Sequence, residues 1–114
     1  MSKISIDYDN ISQQLKVRPE ILKKLIKSFA FALTEKMNIL ETGLSNNDAA
    51  QMRSVLHEIK GTAGNLRLST ICVAENVMHE ALKAQESKEK LTEYFAVLKE
   101  RVAELQQYIA KQEL

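Results

Sequence analysis

The segment Leu56-His57-Glu58-Ile59-Lys60-Gly61-Thr62-Ala63-Gly64-Asn65-Leu66 holds the residues of this 114-residue chain best suited to chemistry. An imidazole has an ordinary pKa of about 6.5, so much of it carries a nucleophilic lone pair at neutral pH. Histidine can form covalent intermediates as a nucleophile. Lys60, one helical turn beyond His57, reaches the same space. Its ammonium would balance negative charge on a phosphoryl group arriving at the ring or attached to it. Phosphoryl transfer depends mostly on positioning and charge stabilisation, so a sparse site suffices when a partner supplies the metal.

Two glycines three residues apart, Gly61 and Gly64, lie inside a helix whose apolar stripe continues on both sides of them. Each costs up to about 1 kcal/mol relative to Ala in a helix interior. At about 100° per residue with Met52 at zero, Leu56, Ile59, Ala63, Leu66 and Val55 fall within about 60° of it, which marks the core face. Lys60 then falls near about 80°, Arg53 near about 100°, Gly64 near about 120°, His57 near about 140° and Gly61 near about 180°. His57 points away from the core, and both glycines lie on the solvent strip, where they clear space for a large partner. Arg53 and Arg67 flank this face as docking residues or as ordinary solvated charges. On geometry alone, a phosphoryl acceptor and a surface histidine beside a coincidental glycine pair both fit.

The elements that must carry this face read as helices throughout. Composition is 45% hydrophobic and 27% charged, close to the globular average, and the length suits one domain over 1–114. Sixteen Lys plus Arg against 15 Asp plus Glu leave a net charge of +1, without the basic excess of a generic nucleic-acid binder. One Pro, three Gly and no Trp disfavour an all-β fold with many tight turns. A short helix spans about 9–15, with Asp9 or Asn10 as cap. Pro19 opens a helix over about 19–42, striped by Leu22, Leu25, Ile26, Phe29, Leu33, Met37 and Leu40 and ended by Gly43 as its left-handed residue. A third helix starts in Ser45-Asn46-Asn47-Asp48 and covers about 47–66. Ser69 caps a fourth over about 69–84, with Ile71, Ala74, Val77, Met78, Ala81 and Leu82 buried. Ser87 opens the last, about 88–113, where Leu91, Phe95, Leu98, Val102, Leu105 and Ile109 alternate at four- and three-residue steps. Short loops favour antiparallel neighbours. The expected fold is all-α: an antiparallel four-helix up-and-down bundle with a short N-terminal helix. The last stripe also fits a coiled-coil seam, but it is too short for that assignment and reads as core.

Other residues carry weaker signals. Cys72, the single cysteine, has no internal disulfide partner. His79 stands about 140° from Ala74 and reads as a solvated surface histidine. Glu75 and His79 at i, i+4 could offer two metal ligands, yet nothing completes a site. His57-Glu58 begins like a zinc-protease motif, but Gly61 stands where the second histidine belongs. No metal is expected. No phosphate loop, nucleophile elbow, secretory signal or membrane span is apparent, and the cytoplasm is the expected location.

His57-Glu58-Ile59-Lys60-Gly61-Thr62-Ala63-Gly64 resembles the signature of the histidine-containing phosphotransfer (HPt) family, His-x-x-Lys-Gly-x-Ala, and the likeness covers most of the chain. The resemblance implies a four-helix bundle with the phosphorylated histidine exposed in mid-helix. It implies a phosphorelay intermediate that takes a phosphoryl group from the aspartate of one response-regulator receiver domain and passes it to another. His57 would be the phospho-acceptor, Lys60 its charge partner, and Gly61 and Gly64 the clearance. Such domains have no ATP-dependent kinase activity and no cofactor of their own; the receiver brings Mg²⁺. Receivers and a hybrid sensor histidine kinase would be the partners of a monomer that touches neither nucleic acid nor membrane. Two departures bear on partner choice: Arg67 stands where the family often has glycine, and Met78-His79 where Leu-Glu is common. The alternative is a non-catalytic helical interaction module, dimeric through the last helix.

Overall fold

The computed structural model describes residues 5–112, which form five helices: α1 (Tyr8–Leu15), α2 (Pro19–Ser45), α3 (Ala49–Asn65), α4 (Ser69–Lys83) and α5 (Lys88–Gln112). Helices α2 to α5 form a ring in which each packs on its chain neighbour and α5 closes back onto α2; α1 lies on α2. This is the expected four-helix bundle with an N-terminal helical arm. Its core is a continuous cluster that includes Leu22, Ile26, Leu33, Leu40, Leu56, Ile59, Ile71, Met78, Leu98 and Leu105. All six residues of the α5 stripe are buried within it, so the seam is consumed inside the chain rather than offered to a second copy.

Several helix boundaries differ from the sequence reading. Asp7, not Asp9 or Asn10, caps α1: its carboxylate accepts from the Asn10 amide at 3.1 Å. Ser69 is the first residue of α4 rather than its cap, because the buried Leu68 takes the capping position with no side-chain bond. Asp48 and Ser87 do cap, accepting from the amides of Gln51 and Lys90. The largest correction concerns Gly43. Helix α2 runs past it to Ser45, and Gly43 is buried and helical. A Cβ there would lie 2.9 Å from Met52 Cγ and 3.3 Å from Gln51 Oε1, so Gly43 serves the close approach of α3 to α2.

Three of the four helix stops come from residues with no obvious stop signal. Lys16, Asn47, Arg67 and Gln85 adopt left-handed φ values of 55–60°. After each, the next amide reaches back to close the helix end: Val17 to Ser12, Asp48 to Gly43, Leu68 to Ala63 and Glu86 to Ala81. All four turns are therefore Schellman closures built without glycine. At Arg67 the side chain compensates for the strain. Its Nη1 donates to the Gly64 carbonyl at 3.0 Å and the Asn65 carbonyl at 3.3 Å, and its Nε donates to Gln14 Oε1 at 3.1 Å. A left-handed L-residue costs about 1 kcal/mol or more. Arg67→Ala loses these contacts and keeps the strain, whereas Arg67→Gly loses the contacts and relieves it. Urea denaturation is expected to find the Gly variant more stable than the Ala variant by about 1 kcal/mol; equal stabilities would refute the strain.

Two stripe residues are exposed against expectation, Leu25 at 47% and Val77 at 44%. On α2 the buried arc runs through Leu22, Ile26, Phe29 and Leu33, and Leu25 stands outside it. On α4 the buried arc is centred on Ile71, Glu75, Met78 and Leu82, which turns Val77 outward and Glu75 inward.

Candidate functional site

Helix α3 is set against the bundle by Met52, Val55, Leu56, Ile59 and Ala63, all buried. The opposite strip then faces solvent as the periodicity requires: Arg53, His57, Lys60 and Gly61 are exposed and Gly64 is half-buried. Neither Gly61 nor Gly64 has a positive φ, and a Cβ on either would meet nothing within 4 Å. The fold does not need glycine at these two positions. What their absent side chains leave is open surface beside an exposed imidazole.

One side of His57 is tied to α2. Glu58 accepts a hydrogen bond from Lys36 Nζ at 2.8 Å, and this bond, with the charge behind it, holds the Glu58 carboxyl below its ordinary value. The pair ties α3 to α2 at the residue after His57.

The other side is built by α4, and it holds what the sequence reading missed. Glu75 is fully buried. Its Oε2 lies 3.0 Å from Nδ1 of His79, and its Oε1 is buried without a hydrogen-bond partner. Burial pushes the Glu75 carboxyl above its ordinary value, against the opposing pull of the His79 bond and of charge on His79, Lys60 and His57. Cys72, one turn earlier, is half-buried; burial raises its thiol pKa, Glu75 raises it further, and Lys60 opposes both. His79 is thus a nearly buried partner of a buried carboxylate, its side chain 13% exposed, and not the solvated histidine expected. The wheel contained the signal: with Ile71 at zero, Glu75 falls near about 40°, between Leu82 at about 20° and His79 at about 80°. An arc centred on Ala74 instead of Ile71 hid it.

Among the flanking cations, Arg53 is exposed on the His57 strip, while Arg67 spends its guanidinium on the end of α3 and on Gln14. Arg67 occupies the turn that closes α3, where glycine would carry no strain.

Residues 24–108 match the family model of the Hpt domain. The chain belongs to the Hpt family. No curated protein matches it. Among solved structures it is similar to the HPt domain of an Hpt sensor hybrid histidine kinase from Shewanella, with a TM-score of 0.79 and 21% identity over 96% of this chain and 95% of that one. At that identity the likeness speaks for the fold, a helical bundle. Membership assigns this Hpt domain a histidine phosphotransfer role in phosphorelays, with receiver domains and kinases as the class of partner. No helix among the described residues of the domain is long and apolar enough to cross a membrane.

Proposed function

We propose that His57 is the phospho-acceptor, taking a phosphoryl group from a receiver-domain aspartate and passing it to another receiver. The lone pair of one ring nitrogen attacks phosphorus in line with the bond to the aspartyl oxygen. The N–P bond forms as the O–P bond breaks, and the electron pair leaves on the aspartate carboxylate. The other ring nitrogen keeps its hydrogen, so the phosphorylated ring carries a positive charge beside the phosphoryl dianion. Return transfer runs the same steps backwards. Lys60 supplies charge to the transferring group, Gly61 and Gly64 admit the receiver surface, and Arg53 contributes to docking. Arg67 contributes through the turn it closes. The Mg²⁺ and the rest of the apparatus belong to the receiver, and the chain needs no cofactor of its own.

The observation that carries this reading is an exposed imidazole on α3 beside two helical glycines with open space where their side chains would be. The test is to mix the protein with a panel of phosphorylated receiver domains and Mg²⁺ and to locate the phosphate. Acid-labile phosphate on this chain is expected. A panel that neither labels nor binds the protein would favour a helical interaction module instead.

A further inference from the structure

The Glu75–His79 pair has no part in the bundle's packing that an apolar pair could not play better. A buried carboxylate with one unpartnered oxygen is destabilising. Its position accounts for it. The charges acting on Glu75 are Lys60 and His57 from α3 and His79 from α4 itself, and the Cys72 thiol feels Glu75 in turn. The buried carboxylate therefore feels the same Lys60 charge that is proposed to serve the phosphoryl group on His57. With His57 free, the Lys60 ammonium helps balance Glu75. With His57 phosphorylated, a dianion competes for that ammonium, and the buried carboxylate loses part of its counter-charge.

We propose that the Glu75–His79 pair takes up a proton when His57 is phosphorylated, so that Glu75, acting through Lys60, is a positioning residue that makes occupancy of His57 depend on pH. This rests on His57 being the acceptor. The charge balance is simple. Transfer of the phosphoryl group leaves the receiver aspartate with one negative charge and adds a net single negative charge at His57. A proton from solvent then binds the pair, neutralising the carboxylate while His79 keeps its Nδ1 hydrogen toward Oε2. Because the phosphorylated form binds more protons, lowering the pH favours it.

The test compares the wild-type protein with the Glu75→Gln/His79→Gln double variant, in which the pair is neutral at every pH. Each is equilibrated with one phosphorylated receiver and Mg²⁺ between pH 6 and 8.5. Proton exchange common to the two reactions then largely cancels in the ratio of the two equilibrium constants. That ratio is expected to rise at least about threefold from pH 8.5 to pH 6, the size of a partial proton uptake. A merely structural contribution changes it by one factor at all pH values, and a flat ratio overturns the proposal. A second arm needs neither the variant nor a receiver. His57 is phosphorylated chemically with phosphoramidate, and the titration of the Glu75 side-chain carboxyl is followed by carbon NMR. Its midpoint is expected to rise by at least about 0.3 in pH, a twofold gain in proton affinity from one added charge at about 10 Å in a water-like medium. An unchanged midpoint overturns the proposal. If receivers fail to label the wild-type protein, the relay reading falls while this second arm still decides the coupling.

Discussion

His57→Gln is expected to abolish labelling by phosphorylated receivers while leaving the fold unchanged. Glutamine fills similar space and is a better helix former than histidine, but its amide nitrogen has no free lone pair for phosphorus. The side chain stands outside the core on the exposed strip of α3, so thermal stability should stay within about 0.5 kcal/mol of wild type. Circular dichroism and receiver binding should both persist. Labelling that survived in the folded variant would move the acceptor elsewhere, and His79 is the only other histidine in the sequence. Its carboxylate partner and slight exposure make it a poor acceptor for a bulky donor.

The second large effect separates stability from transfer. Gly61→Ala places a methyl group in empty space on a helix, so it should stabilise the protein by about 1 kcal/mol, or roughly 4 °C or more in Tm. Gly61→Gln should keep most of that gain, since glutamine is also a good helix former. The longer side chain, however, fills the space beside His57 that an approaching receiver needs. Misplacement of reacting groups by about 1 Å can lower a rate about a hundredfold, so transfer to Gly61→Gln is expected to fall at least about tenfold. Gly43→Ala is the control. There the new methyl would press on Met52 Cγ at 2.9 Å, so the propensity gain is offset by repacking and no stabilisation is expected. Melting curves and single-turnover transfer on the three variants check this. Unchanged transfer by a stabilised Gly61→Gln would remove the clearance argument, and so would a loss of fold.

These contrasts show how differently the three glycines could be read. Gly61 and Gly64 were legible from sequence, because the apolar stripe on either side of them continues without a break. Periodicity alone puts them on the outer strip with His57. Gly43 was not legible, since a glycine after an apolar run looks the same whether it ends a helix or admits a neighbouring one. The stops were hidden for a related reason. Lys16, Arg67 and Gln85 turn left-handed because the next helix must dock, and their side chains do not announce it.

The sequence by itself determined the helices, most of their buried stripes and the outward face of α3, because each follows from local spacing at 3.6 residues per turn. It also determined the family, through a motif confined to two turns of one helix. Only the tertiary structure decided which α4 residues meet α3. A shift of the buried arc by part of a turn buries Glu75 where it feels the charges of Lys60 and His57, draws His79 in after it and turns Val77 out. That angle is set by how α4 packs between α3 and α5, because the spacing of α4 alone allows an arc centred on Ala74 as well as one centred on Ile71.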